Sequence, residues 1–146
     1  MIIDDLQLTG ALQISLNNEI VHQCDNLVVT AGKNWVAGRF KDGSIPDEMS
    51  HMAIGSADTA AAAGNTTLAN EISASRIALT TDGGTVSTNT VQYDASWTSA
   101  AAAYAIKEAG IFNAATGGTM LARTTFAVIN KGTDDTVSIS WTITVS

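Results

Sequence analysis

The chain has 146 residues, the size of one ordinary domain, and can bury a core without disulfides or metals to support it. Its net charge of −7 and its lack of a lysine–arginine cluster exclude a basic surface for nucleic acid or anionic membranes. Charged residues make up only 14%, against roughly one-quarter in typical soluble domains, so little on the surface opposes association with another protein.

The N-terminal segment predicts a β-hairpin. Residues 6–16 alternate between apolar and polar side chains, which is the period-two pattern of a half-buried strand. Asn17-Asn18 is a turn pair, and residues 19–23 read as the returning strand. We expect the hairpin, within residues 1–25, to be a contact segment, with an exposed strand edge beside the polar side chains Gln7, Thr9, Gln13 and Ser15.

A short helix is predicted next, over residues 31–40, with the Thr30 hydroxyl as its N-terminal cap. Its apolar residues are spaced seven and four apart and share one helical face: Val29, Val36 and Phe40. The spacing therefore indicates a helix that packs this face on the rest of the protein.

The remaining segments favour strands joined by loops. Residues 51–55 predict a short buried strand, residues 56–71 a long loop, and residues 74–81 another strand. Residues 91–97 and 137–145 alternate strictly between apolar and polar side chains. The pattern predicts a single, mainly all-β domain over residues 1–146, an antiparallel β-sandwich with one short α-helix near residues 31–40.

The segment EAGIFNAATGGTMLARTTF, residues 108–126, is either a phosphate-binding loop or a hairpin. A phosphate loop needs convergent backbone amides, and usually a lysine or a helix start behind them. No lysine and no helical pattern follow Gly117-Gly118, so the hairpin is favoured. In a hairpin Glu108 and Arg123 lie on neighbouring strands, which favours a cross-strand ion pair over a catalytic pair.

Few residues have the spacing of a catalytic group. His22 and Cys24 share one face of a strand, as a nucleophile and its base would, but no third group orients them. His51 has no metal-ligand spacing around it, and Asp134-Asp135 has too few neighbouring oxygen ligands for calcium. We predict no catalytic, cofactor-binding or metal-binding residues, and a protein that is not an enzyme.

The three tryptophans, Trp35, Trp97 and Trp141, fall at apolar positions and are predicted in the core or in an interface. A sugar-stacking role would need a cluster of carboxylates near them, which the sequence does not supply. The lone Cys24 and the acidic start of the chain, where a signal peptide has basic residues, fit synthesis in a reducing cytosol.

Three stretches lie in order over about residues 26–146: NLVVTAGKNWVAGRF, SHMAIGSADTAAAAGNTTLANE and IKEAGIFNAATGGTMLARTTFAVINKGTDDTVSISWTIT. Together, and in this order, they resemble a family of small virion proteins of tailed bacteriophages. The resemblance is most specific in the last forty residues, and it implies a structural component of the particle with no catalytic residues.

The resemblance leaves two locations open. In the first, the chain is a capsid cement or decoration protein on the outer head shell, a homo-oligomer and most simply a trimer, with the major capsid protein as its partner. In the second, it is a tail, baseplate or fibre-associated protein that takes part in host attachment through a sugar-binding groove. Cement proteins are present in many copies per particle and tail proteins in few.

Overall fold

The chain folds into nine antiparallel strands and one short helix in a computed structural model that describes residue 2 and residues 5–41 and 43–146. The helix α1 spans Thr30–Arg39. The strands are β1 Leu8–Leu16, β2 Glu19–Val28, β3 His51–Gly55, β4 Ile77–Ala78, β5 Thr85–Ser87, β6 Thr90–Trp97, β7 Tyr104–Phe112, β8 Met120–Lys131 and β9 Val137–Val145.

The strands form one sheet that curls into a sandwich, in the order β4-β3-β7-β8-β2-β1-β9-β6-β5. Strand β2 takes part in both halves, because its first part pairs with β1 and its last residues, Leu27 and Val28, pair with β8. We call the half formed by β5, β6, β9, β1 and β2 the bare sheet. The half formed by β8, β7, β3 and β4, with the end of β2, is the covered sheet.

One hydrophobic core lies between the two halves. The bare sheet contributes the inward side chains of its alternating strands, and the covered sheet contributes those that face them. Trp97 and Trp141 are the largest of these side chains, and each is at most 1% exposed. The period-two patterns over residues 91–97 and 137–145 therefore predicted correctly which side chains face inward, although Val145 at the end of β9 is 38% exposed.

The covered sheet has a second layer on its outer face. Helix α1 and the loop of residues 56–76 lie there, above a small apolar cluster made of Val29, Ala53, Leu68, Phe112 and Met120. Gly32 lets α1 approach the backbone carbonyl of Leu121 so closely that no β-carbon would fit between them. Strand β3, residues 108–112 of β7 and residues 120–124 of β8 are consequently buried on both faces.

Several sequence-based expectations need correction. The helix is present, but Val29 precedes it without a side-chain cap, so the capping role expected of Thr30 is wrong. Phe40, expected on the buried face, is 81% exposed. Of the segment 74–81 only β4 is a strand. Among the described residues α1 is the one helix, and it is neither long nor apolar enough to cross a membrane.

The expected exposed edge at β1 is also wrong. Strand β1 pairs with β9 along its whole length on one side, and with β2 from Gly10 to Leu16 on the other. The edges of the sheet are instead β4 and β5, which have two and three residues. Edge strands this short offer few free backbone groups for another strand to pair with.

Candidate functional site

The segment 108–126 is a hairpin, as the sequence predicted. Strands β7 and β8 pair along it, and residues 113–119 turn between them. Gly117 and Gly118 have φ of 59° and 73°, where a side chain is strained. The Thr119 amide donates to Asn113 Oδ1 over 2.7 Å, which closes the turn.

Arg76, which sequence reasoning missed, occupies the concave side of this turn. Its guanidinium lies 3.7 Å from the ring centroid of Phe112 and donates to the carbonyl oxygens of Ala114 and Gly117. A two-pronged ion pair with Glu71 holds it in place, at 2.7 and 2.9 Å. The turn therefore presents carbonyl oxygens to a cation, the opposite of the convergent amides that bind phosphate.

Glu108 and Arg123 form the ion pair expected across β7 and β8. Two guanidinium nitrogens of Arg123 lie 2.8 and 2.9 Å from Glu108 Oε2, and the two side chains are 0% and 1% exposed. They face the outer layer of the covered sheet, because Arg123 is opposite Gly110 in the ladder and Gly110 packs on Leu68. A buried pair needs further hydrogen bonds to offset its lost hydration.

The loop of residues 56–76 supplies those hydrogen bonds. The amides of Ala69 and Asn70 donate to the Glu108 carboxylate over 3.0 and 2.7 Å. Arg123 donates to Asn65 Oδ1 and to the carbonyl oxygen of Thr59. The pair is thus the anchor of a loop with almost no regular structure, and water cannot reach it as it would reach a catalytic carboxylate.

His22 and Cys24 lie on the same face of β2, as predicted, and both are half-buried. The His22 ring packs against Phe126, with 5.7 Å between ring centroids. The Cys24 sulfur is 3.8 Å from Thr124 Oγ1, and burial raises the pKa of the Cys24 thiol above its usual range. A raised thiol pKa reduces the reactive thiolate, so the position suits packing better than nucleophilic chemistry.

The other sequence candidates have structural contacts. His51 Nδ1 is 2.8 Å from the hydroxyl of Ser50. Asp135 accepts hydrogen bonds from the Asn17 side chain and the Gly132 amide, which lower the pKa of its carboxyl group and tie two turns together. Trp35 donates to the Asp47 carbonyl oxygen. Within the described ranges, no three His, Cys, Asp or Glu side chains lie close enough to hold a metal ion.

Lys131 is a second group that the sequence did not single out. It is 2% exposed, and its ammonium donates to the carbonyl oxygens of Ala101, Ala102 and Gly132. These bonds fasten the loop before β7 to the end of β8. No sequence pattern distinguishes a lysine held by carbonyl oxygens from one on the surface, so only the folded structure reveals this role.

The outer face of the bare sheet is the most distinctive surface of the molecule. Registered pairs place Gln13 beside Gln23 on one side and beside Ser140 on the other. Ser96 and Ser138 hydrogen-bond across neighbouring strands at 2.8 Å. The outward side chains of β1, β6 and β9 are hydroxyls and amides except for one alanine and one carboxylate: Thr9, Ala11, Gln13, Ser15, Thr90, Gln92, Asp94, Ser96, Ser138, Ser140, Thr142 and Thr144.

A shallow concavity of about 710 Å³ lies at the centre of this face. It is lined by Ala11, Leu12, Gln13, Gln23, Cys24, Asp25, Gln92, Ser140 and Thr142. Hydroxyl and amide groups both donate and accept hydrogen bonds, so the face can form a hydrogen-bonded contact without a fixed pattern of charge. None of the outward side chains of β1, β6 and β9 is aromatic, and Trp97 and Trp141 of these strands face the core.

Comparisons of the chain with protein-family models, with curated proteins and with solved structures found no match.

Proposed function

We propose that the chain is a structural protein of a tailed-bacteriophage virion, and most simply a cement protein on the outer head shell. The observation that supports this function is the broad polar face of the bare sheet, backed by a rigid core. The resemblance of residues 26–146 to small phage virion proteins supplies the biological context.

The chemistry of this face suits a protein contact of large area. Short Ser and Thr side chains lose little conformational entropy when a partner covers them, unlike long charged ones. Asp94 is the one charged group among the outward side chains of β1, β6 and β9, and Asp25 of β2 lies beside them. We infer that the face lies on the major capsid protein, and that the covered sheet faces away from it.

The proposal assigns no catalytic step to the chain. The buried charged groups, Glu108, Arg123 and Lys131, hold loops in place through hydrogen bonds to backbone atoms. Such groups are structural, since each is enclosed by the segment that it fixes. The chain's role in this proposal is to bind and stabilise an assembled surface.

A binding experiment tests the proposal directly. Phage heads assembled without this chain are mixed with the purified protein, pelleted, and the bound copies counted by gel densitometry. Saturation at many copies per head supports a cement protein. Binding at a few copies, or only to particles with tails, supports the tail location instead, and no binding to any particle overturns the virion role.

A matched pair of variants tests the docking face. Thr142→Arg places a long cation in the centre of the bare face, whereas Thr66→Arg makes the same change in the exposed loop over the covered sheet. We expect the first to weaken binding to heads about tenfold or more, and the second to leave it unchanged. Equal binding by both variants would show that another surface contacts the head.

A tail protein involved in host attachment is the second candidate. The concavity favours it, because amides, hydroxyls and the Asp25 carboxylate are groups that hydrogen-bond sugar hydroxyls. Against it, the outward side chains of β1, β6 and β9 include no aromatic ring on which a sugar could stack. Binding of host-surface oligosaccharides, measured by calorimetry and lost in Gln23→Ala, would favour this candidate.

A further inference from the structure

Exposed apolar patches lie at the two opposite ends of strand β1, and each includes charged side chains of one sign. We define the helix-end patch as Leu6, Leu8, Lys33, Val36, Phe40 and Val145, and the hairpin-tip patch as Leu16, Glu19, Ile20, Val21, Val128 and Asp134. Strand β1 runs from one to the other over nine residues, about 27 Å.

The helix-end patch is a groove of about 490 Å³ between α1 and the start of β1. Leu6 and Phe40 on its walls are 69% and 81% exposed. Of the described residues, Lys33 is the single charged side chain that lines it. The patch therefore combines apolar side chains that lack a cover with a cation.

The cations of the molecule are distributed unevenly. Arg76, Arg123 and Lys131 are held inside it, and Lys107 lies 3.6 Å from Asp58. The remaining three, Lys33, Arg39 and Lys41, are exposed, and all lie on α1 or directly after it. In a chain with a net charge of −7, exposed positive charge is thus concentrated at the helix end.

The hairpin-tip patch has the complementary character. Ile20, Val21 and Val128 are 53%, 45% and 48% exposed, and Val21 and Val128 line one shallow concavity. Glu19 and Asp134 are exposed on the two adjoining turns, which the hydrogen bond from Asn17 to Asp135 holds together. Lys131, the nearest cation in the sequence, has its ammonium turned inward to carbonyl oxygens.

We propose that copies of this chain associate head to tail, with the hairpin-tip patch of one copy seated in the helix-end patch of the next. Phe40 and Leu6 then cover Ile20, Val21 and Val128, and Lys33 faces Glu19 and Asp134. Because the two surfaces differ, the contact is heterologous and repeats from copy to copy. The copies therefore close into a ring or extend as an open filament. The inference rests on the proposed role in an assembly, and it names the surfaces that join its subunits.

Sedimentation of the purified protein over a concentration series tests the contact without any phage particle. Wild-type protein associates, whereas Phe40→Asp and Val128→Asp each weaken association about tenfold or more and sediment as monomers. All the changed side chains are exposed, so folding is preserved. Val86→Asp, which alters a side chain on β5 whose exposure of 69% lies between those of Val128 and Phe40, serves as the control and associates like the wild type.

A mixing experiment distinguishes this contact from a symmetric one. Phe40→Asp keeps an intact hairpin tip and Val128→Asp keeps an intact helix end, so an equal mixture forms dimers and nothing larger. Association by either variant alone, no dimer in the mixture, or a wild-type protein that stays monomeric throughout overturns the inference. Binding of wild-type protein to phage heads is measured separately, so that a failure of the virion role is distinguished from a failure of this contact.

Discussion

The two halves of the sandwich differ in what lies on their outer faces. The outer face of the covered sheet is sealed by α1 and by the loop of residues 56–76, which the Glu108–Arg123 pair holds down. The outer face of the bare sheet carries hydroxyls and amides that hydrogen-bond one another, as Gln23 does with Gln13 and Ser96 with Ser138. Both sheets share one core, so the difference lies entirely in what each presents outward.

The contrast separates residues that hold the fold from residues that are free to bind. A buried charge surrounded by backbone hydrogen bonds cannot be changed without leaving some group unsatisfied. An exposed threonine or glutamine on a sheet face contributes little to stability and remains accessible to a partner. Stability is therefore expected to depend on the covered sheet, and binding on the bare one.

The largest effect is expected for Glu108→Ala, which leaves Arg123 buried without its carboxylate. Removing one partner of a buried pair costs about 3–5 kcal/mol of unfolding free energy. Asp94→Ala removes a carboxylate from the bare face and should change it by less than about 0.5 kcal/mol. Urea denaturation followed by tryptophan fluorescence measures both variants. Equal losses of unfolding free energy in the two would contradict the expectation that stability depends on the covered sheet.

The turn of the covered sheet should show the next largest effect. Gly117→Val and Gly118→Val place a β-branched residue at positive φ, at about 1–3 kcal/mol each. Gly118→Val should cost more, because its new β-carbon would lie 2.7 Å from Asn113 Oδ1 and from Ala114 Cβ, whereas no atom lies within 4 Å of that added at Gly117. Thermal unfolding measures the difference.

Gly64→Val is the control for these variants, since Gly64 also has open space around it but no positive φ. We expect its stability to match the wild type. Unchanged stability of Gly118→Val, accompanied by loss of phosphate binding, would instead support the phosphate-loop interpretation of residues 108–126.

The inner face of the bare sheet should be sensitive to alkali. Burial raises the pKa of Tyr93 from 10.0 to about 12. The unfolded chain then ionises first, so stability is full below pH 10 and falls as the pH rises towards 12, by about 2 kcal/mol. Tyr93→Phe should lack this loss of stability. Unfolding curves of the two proteins over a pH series measure it, and an equal loss of stability in both proteins would contradict the assignment to Tyr93.

The smallest effect is expected at the hairpin tip. The pKa of Asp135 is lowered from 3.8 chiefly by the hydrogen bond from Asn17, so its contribution is present above pH 3.8 and is lost as the pH falls through the folded-state value. The stability difference between wild type and Asp135→Asn should therefore shrink in acid. Asp134→Asn, which changes the exposed neighbouring carboxylate, is the control. If the stability difference between wild type and Asp135→Asn stayed constant from pH 6 to pH 3, the prediction would be contradicted.

Much of this organisation could be predicted from alternation and turn chemistry. The inward positions of Tyr93, Trp97 and Trp141 follow from period two, and the hairpin of residues 108–126 follows from its glycines and the absence of a lysine after them. The prediction of β1 as an edge failed because pairing order between distant strands leaves no local pattern. The exposure of Phe40 was missed because helical spacing shows which residues share a face, and not whether that face is covered.

The sequence by itself determined the long alternating strands, the hairpin turns and the division between polar and apolar faces, because these depend on neighbours a few residues apart. Only the tertiary structure decided that one polar face stays bare while the other outer face is sealed. That outcome depends on contacts such as Ala69 with Glu108 and Thr59 with Arg123, which join residues 39 and 64 positions apart. These contacts stabilise the protein only when folding removes both partners from water together. No short stretch of sequence therefore predicts them.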